Sequence, residues 1–207
     1  MSQFEFKTTG SAVSSYIKNE NQGVGLESKI SLLKNDLEQV AQLPKLGVSI
    51  RRIGDVKLYP FTDFFKGFEK VDAVRSTFGG KTDEVLEDLK VEFFSFKYGY
   101  MAVSDVDGHL LISTHHLKNS EFRVLYLDIV HELVHVKQFM EGRKLFNPEF
   151  EYVDNPTEIE AYRHAVKEAK RIGMRDEEII EYLKVEWIDE DSLNRLVTSV
   201  GLKVPQK

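Results

Sequence analysis

The segment from Ser120 to Gly142 constrains the fold more than any other part of this chain. Apolar residues occupy almost every face of a helix drawn through it: Phe122, Leu125, Leu127, Ile129, Val130, Leu133, Val134, Val136 and Phe139. A helix that is apolar around most of its circumference is normally enclosed within a domain. Ser120 suits an N-cap and Gly142 suits a helix stop, so we predict one long buried helix between them.

Composition narrows the classes of protein to consider. The chain has 207 residues, 42% of them hydrophobic, and this length and composition favour one globular domain. Its formal net charge of −6 argues against a dedicated nucleic-acid binder. The absence of cysteine excludes disulfides, cysteine-ligated zinc, iron–sulfur clusters and thiol nucleophiles. With no secretory leader and no apolar run of about 20 residues, we expect a cytoplasmic protein without membrane contact.

Strand-like patterns concentrate before residue 115 and helical patterns after it, which predicts an α+β fold. We predict one or two strands over 48–59, with a turn at Gly54-Asp55, a strand over 91–96, and a hairpin over 98–114. The predicted helices other than the long one are 26–43, 83–89, 156–172, 176–185 and 190–199, and residues 60–80 are expected to be irregular. The expected organisation is an N-terminal arm (1–25), a main domain (26–175) and a C-terminal helical appendage (176–207).

The long helix carries the motif His131-Glu132-Leu133-Val134-His135. Histidines four residues apart project from one helical face, so their rings can reach one ion at the ~2.0–2.1 Å typical of zinc. Glu132 is rotated by about 100° from His131, which sets its carboxylate beside the ion, where it can deprotonate a bound water. Charged groups on a buried helix are costly unless an ion neutralises them. The alternative is an exposed helix face with two solvated histidines.

A catalytic zinc site needs a third protein ligand. The metzincin pattern fails here, because Gln138 and Glu141 stand where that pattern has glycine and histidine. The next predicted helix contains Glu158-Ile159-Glu160-Ala161. In this respect residues 90–170 resemble the gluzincin zinc metallopeptidases, in which a glutamate on the helix after HExxH, commonly within E-x-E-A, is the third ligand.

The resemblance implies a zincin-like fold, with a small mixed β-sheet packed on the HExxH helix and a C-terminal helical subdomain. It also implies Glu158 as the third ligand, because the ligand often begins an E-x-x-x-D pattern. Glu160 is the alternative. It lies about 200° around the helix from Glu158, so the two glutamates cannot both face one ion. Asp154 and His164 are further candidates.

Tyr162 occupies the position where the family often has aspartate. Its hydroxyl can accept a hydrogen bond from a ligand histidine or donate one to a developing oxyanion, or Tyr162 can be a core aromatic. Three weaker candidates for the oxyanion role are Tyr152, Arg163 and His164. Asp128, one turn before His131, is a candidate partner for that ring, and we expect His115 and His116 at the surface.

The resemblance implies a zinc-dependent metallopeptidase in which His131, His135 and Glu158 hold Zn²⁺ and Glu132 is the general base. Tyr162 is the second catalytic candidate. The implied partner is a peptide or protein substrate that pairs with the edge strand 98–104, with no nucleic acid. The alternative is a zinc-stabilised binding or regulatory protein without proteolysis. The sequence specifies neither the substrate nor the oligomeric state.

Overall fold

The computed structural model describes residues 47–96 and 100–204 of the chain. The predicted arm 1–25 and the predicted helix 26–43 lie outside these residues. All described residues belong to one compact unit, Gln39–Lys207. Strands lie mainly in the first half of this unit and helices in the second, so the predicted α+β class is confirmed.

Seven α-helices are present in the described part of the chain: α1 (Asp72–Phe78), α2 (Thr82–Asp88), α3 (Thr114–Asn119), α4 (Phe122–Met140), α5 (Pro156–Arg171), α6 (Asp176–Leu183) and α7 (Glu190–Ser199). Short 3-10 turns connect some of them, at Phe61–Asp63, Phe68–Lys70, Gly79–Lys81 and Tyr152–Asp154. None of these helices combines the length and apolarity needed to cross a membrane.

Six short strands form two sheets within the described residues: β1 (Ser49–Ile50), β2 (Leu58–Pro60), β3 (Phe65–Lys66), β4 (Lys90–Phe94), β5 (Met101–Val103) and β6 (Leu110–Ser113). Strands β1 and β3 pair with each other, antiparallel. The larger sheet has the order β2-β4-β6-β5, in which β4 and β6 are parallel and the other neighbours antiparallel.

The predicted hairpin is confirmed as β5 and β6, with β5 at the sheet edge and β6 inside. Its turn packs directly on α4. Gly108 in this turn has a φ of +78°, and a Cβ there would lie 2.4 Å from Cδ1 of Phe139. The turn therefore needs glycine for its backbone conformation and for its close approach to the helix.

Helix α4 begins at Phe122, two residues after the predicted Ser120 cap. The preceding segment forms its own helix, α3, because the Ser113 side chain caps it by accepting from the His116 N–H. Ser120 ends α3 instead of starting α4, and its hydroxyl lies 2.7 Å from Nδ1 of His116. Gly142 closes α4 as expected, with a φ of +72° and its N–H donating to Phe139.

The prediction of one or two strands over 48–59 is confirmed as β1 and β2, which pair with β3 and β4 and so join different sheets. The prediction that residues 60–80 are irregular is wrong, because this segment contains α1, β3 and 3-10 turns. The cause is burial of an aromatic cluster that orders this segment through distant contacts: Phe61, Phe64, Phe65, Phe68 and Phe93, with Tyr126 of α4.

Helix α4 runs through the core and packs most extensively against α5. Three fully buried alanines on α5 let the two helices approach closely: Ala161, Ala165 and Ala169. Four apolar side chains of α6 and α7 join the same core: Ile179, Leu183, Leu196 and Val197. Each large apolar side chain buried in this way stabilises the fold by about 1.5–3 kcal/mol. The α4–α5 pair is therefore a rigid support for any site between them.

Candidate metal centre

Helix α4 presents the HExxH side chains on a buried face. The exposed fractions of His131, Glu132 and His135 are 6%, 7% and 5%. The two imidazoles converge, with their Nε2 atoms 3.0 Å apart and their ring planes at 73°. The spacing of one helical turn therefore aims two nitrogen lone pairs at one point.

Helix α5 brings Glu158 to the same point. Asn155 caps α5 by accepting from the Thr157 N–H, and both side chains donate to the Leu145 carbonyl at 3.0 Å. These bonds hold the first turn of α5 against the preceding loop. The Glu158 carboxylate then lies 3.4 Å from Nε2 of His131 and 3.5 Å from Nε2 of His135.

Glu160 faces away from the two histidines. Its Oε2 accepts from Arg143 at 2.5 Å and from Gln138 at 3.1 Å. This separation of Glu158 from Glu160 follows from their spacing of about 200° around the helix. Only His131, His135 and Glu158 form a group that could hold a metal ion in the described part of the chain, and all three are buried.

The spacing of the triad is close to that of the ligands of a small tetrahedral ion. Ligands at 2.0–2.1 Å from a tetrahedral centre are about 3.3–3.4 Å from one another. The two Nε2 atoms are 3.0 Å apart, Nε2 of His131 lies 3.4 Å from Oε2 of Glu158, and Nε2 of His135 lies 3.5 Å from Oε1 of the same carboxylate. Each residue offers one ligand atom, and these atoms lie within 4.8 Å of one another.

Several buried polar atoms at the site have no hydrogen-bond partner within residues 47–96 and 100–204: Nδ1 of His131, Oε2 of Glu132 and Oε2 of Glu158. An unsatisfied buried polar atom costs about 1–3 kcal/mol, so three in one place are expensive for folding alone. An ion and its water would supply partners for the carboxylates. The donor chemistry and the unmet hydrogen bonds therefore both fit a metal centre.

His135 and Glu158 each change the pKa of the other. Burial lowers the pKa of His135, but the hydrogen bond and charge of Glu158 outweigh it and raise that pKa to about 9. Burial alone would raise the pKa of Glu158, yet its ion pairs with His131 and His135 hold that pKa well below its usual range. Burial raises the pKa of Glu132, which moves this carboxyl toward the range useful to a general base.

Gln138 is a site residue that stands out in the sequence only as a departure from another family's motif. Its side chain is fully buried, and its Oε1 accepts from Nδ1 of His135 at 2.7 Å. Its amide donates to the Thr157 carbonyl and to Glu160. The bond to Nδ1 fixes the His135 ring with Nε2 toward Glu158, and the two amide bonds tie α4 to α5. The sequence signal that could have identified Gln138 is a polar residue three positions after a ligand on a helix predicted to be buried.

Tyr162 lies against the centre with its ring rather than its hydroxyl. Its ring centroid is 4.4 Å from that of His131. Its hydroxyl is 2.8 Å from the hydroxyl of Tyr152. Burial raises the pKa of both tyrosines, so both keep their protons at neutral pH. Tyr162 therefore packs beside a ligand ring, and its role as an oxyanion donor stays a prediction.

The remaining ligand candidates are outside the triad. Asp154 lies 3.5 Å from Arg195, and Arg163 donates to the Ser199 carbonyl at 2.9 Å. His164 is half-buried and is not part of the metal-capable group.

The prediction that His116 lies at the surface is wrong. Its side chain is buried, and its Nε2 lies 2.8 Å from Asp128 Oδ2. The i, i+4 geometry of α3 turns the ring inward, whereas the neighbouring His115 is exposed. Asp128 is therefore engaged with His116, and the structure shows no bond from it to His131.

Comparisons with known proteins give no relative that would assign this centre to a family. No protein-family model matches the chain, and no curated protein or solved structure is significantly similar to it. Any functional assignment therefore depends on the geometry of the buried triad.

Proposed function

We propose that this chain is a zinc-dependent metallopeptidase of the gluzincin type, with a zincin-like fold. The observation that carries the proposal is the convergence of His131, His135 and Glu158 in a buried site, with Glu132 adjacent. A structural zinc site is normally closed by four protein ligands, whereas three ligands leave a position for water. Three is the number found here.

The donor set favours zinc. Two imidazoles and one carboxylate suit Zn²⁺, and the chain offers no thiolate for softer metals. When bound, zinc supplies Lewis-acid activation of water and of a substrate carbonyl. The residues around it then bind, orient and move protons.

Glu132 is proposed as the general base and then the general acid. Its carboxylate is buried, and its Oε2 has no hydrogen-bond partner among the described residues. It would accept a proton from the attacking water and deliver it to the leaving amine, so that the peptide C–N bond breaks as the new C–O bond forms. The raised pKa of Glu132 makes the first transfer, from the water to the carboxylate, easier.

The Tyr152–Tyr162 pair is proposed to stabilise the oxyanion. Two hydroxyl groups carry two hydrogens, and the 2.8 Å bond between them uses one. The second hydrogen is available for donation toward the carbonyl oxygen. The support for this role is the position of the pair beside His131.

The edge strand β5 is proposed to bind the substrate backbone. It pairs with β6 on one side only within the described ranges, and an edge strand offers a row of N–H and C=O groups to an extended peptide. Strand β5 also contacts α4, so a peptide on this edge would lie along the HExxH helix.

The test combines metal analysis with the Glu132→Gln variant. Purified wild type should carry one zinc per chain, and Glu132→Gln should retain it because Glu132 is not among the ligand atoms. Peptide-library hydrolysis by the variant should fall by at least about 10²–10⁴-fold. Glu160→Gln on α5 is the matched control and should keep both zinc and hydrolysis. Wild type that stays zinc-free in zinc-replete medium would refute the proposal.

A second candidate is a zinc-stabilised binding or regulatory protein without proteolysis. Its supporting observation is that every residue of the triad, and Glu132, is at most 7% exposed. This candidate expects zinc to raise thermal stability while a peptide library shows no Glu132-dependent cleavage. Cleavage that disappears in Glu132→Gln would rule it out.

A further inference from the structure

A cavity of about 500 Å³ opens where the α6–α7 connection meets the 3-10 turn before α5. Two aromatic residues, Tyr152 and Trp187, form part of its wall. Trp187 keeps 53% of its surface exposed although it contacts two other rings. A large aromatic face held by neighbours yet open to solvent is suited to contact a ligand.

The cavity adjoins the proposed catalytic site through a continuous series of rings. The Trp187 ring lies 5.3 Å from that of Tyr100, which precedes β5, and 5.8 Å from that of Tyr152. Tyr152 is 6.3 Å from Tyr162, which is 4.4 Å from His131. An extended peptide advances about 3.3 Å per residue, so the series of rings from Trp187 to His131 corresponds to at most about five residues of substrate.

The charges of the cavity lining are unbalanced. Three carboxylates line it, from Glu151, Asp189 and Asp191, against one cation, Arg195. Arg195 is already bound to Glu151 and lies 3.5 Å from Asp154. The positive charge of Arg195 also acts on Asp189, so this one cation is shared among several carboxylates and the cavity lining stays negative overall.

The start of α7 does not reverse this sign. The positive end of a helix dipole attracts anions, but here it already has one, because Asp189 caps α7 by accepting from the Ser192 N–H at 2.8 Å. The same hydrogen bond lowers the pKa of Asp189, which keeps it ionised at neutral pH. Asp191 adds a second carboxylate in the first turn.

We infer that this cavity binds the cationic side chain of a lysine or arginine in the substrate, within about five residues of the cleaved bond. The cation would lie over the Trp187 ring, an arrangement worth most for an indole face, with Asp189 and Asp191 as counter-charges. An acidic side chain would be repelled. The inference rests on the proposed peptidase function for its substrate class, while the cavity's preference for a cation is measurable without hydrolysis.

The test uses Trp187 as its own reporter, because it is the only tryptophan of the chain. The protein is titrated with N-acetyl-arginine amide and, as a neutral isostere, N-acetyl-citrulline amide. We expect a saturable change of tryptophan fluorescence with the arginine compound only, weakening as salt is raised. Asp191→Asn should raise the Kd about two- to fivefold. Glu177→Gln makes the same charge change in the first turn of α6, outside the cavity, and should leave the Kd unchanged.

An equal response to arginine and citrulline, or an equal effect of the two variants, would overturn the inference. A peptide-library digest run in parallel separates it from the proposed function. Cleavage that depends on Glu132 but shows no basic preference, without the arginine response, rejects the cavity assignment and leaves the peptidase. An arginine-specific response without any cleavage keeps the cavity's cation site and rejects the peptidase.

Discussion

Two clusters of buried histidine and carboxylate lie one turn apart along α4, and they differ in how completely their polar atoms are paired. In the first, His116 engages both ring nitrogens, Nε2 with Asp128 at 2.8 Å and Nδ1 with Ser120 at 2.7 Å. Asp128 also hydrogen-bonds to Tyr182. In the second, the triad of His131, His135 and Glu158 with Glu132 leaves buried nitrogen and oxygen atoms without partners among the described residues.

The difference separates a structural network from a ligand site. A buried polar network that satisfies all its members holds elements together, and a partly satisfied one is costly unless something else completes it. His116 and Asp128 tie α3 to α4, and both ring nitrogens of His116 have a hydrogen-bond partner. The triad has the same kinds of groups in the same helix, and its unmet bonds point to a ligand supplied from outside the chain.

The largest expected effect is loss of the metal. At a free zinc concentration a thousandfold above Kd, binding stabilises a protein by about 4 kcal/mol. A chelator should therefore lower the free energy of unfolding of the wild type by about that amount. His135→Ala should carry no zinc and show no chelator effect, measured by metal analysis and urea unfolding. A chelator effect that persists in His135→Ala would place the metal elsewhere.

The next effect should appear at the structural cluster. His116→Ala removes one hydrogen-bond partner from Asp128 and one from Ser120, and should destabilise the fold by about 1–3 kcal/mol. Zinc content should stay at the wild-type value, because His116 is not part of the triad. Urea unfolding and metal analysis on the same sample check both points. Loss of zinc from folded His116→Ala would show that the two clusters are not independent.

A smaller effect is expected at Gln138, which supports the triad without touching the ion. Gln138→Ala removes the acceptor for Nδ1 of His135, and such substitutions typically weaken metal affinity 10–100-fold. A competition titration with a zinc indicator measures the change. Glu160→Gln replaces a charged acceptor of the Gln138 amide by a neutral one and should change affinity much less. Equal effects of the two variants would contradict the orienting role.

The smallest effect is a pH dependence whose sign differs between metal-free and metal-loaded protein. The folded pKa of His135, about 9, exceeds its ordinary value of 6.5. In metal-free protein the His135–Glu158 pair therefore stabilises the fold fully between pH 4.5, the ordinary pKa of glutamate, and pH 6.5, and this stability is lost as pH rises through about 9.

Zinc must displace the His135 proton, so its affinity should rise about tenfold per pH unit up to about 9. Glu158 is already ionised and contributes no proton. Calorimetry of zinc binding in two buffers counts the protons released at pH 7. A count of zero would show that His135 is neutral before the ion binds.

The elements with strong local signals were predictable from the chain. Strand-like composition around a turn predicted the hairpin over 98–114, and helical patterns predicted α5, α6 and α7 within a few positions. Features ordered by distant partners were not predictable in this way. The strand pairing of 48–59 and the structure of 60–80 depend on strands and aromatic contacts elsewhere in the chain, which a local pattern does not contain.

By itself the sequence determined that any metal chemistry uses histidine and carboxylate, and that His131 and His135 share a helical face, because both follow from composition and from 3.6 residues per turn. Only the tertiary structure decided that Glu158 rather than Glu160 meets them, that Gln138 holds the His135 ring, and that Asp128 belongs to His116. These outcomes depend on the rotation and spacing of α5 and α3 against α4, and packing sets that geometry, which no local pattern encodes.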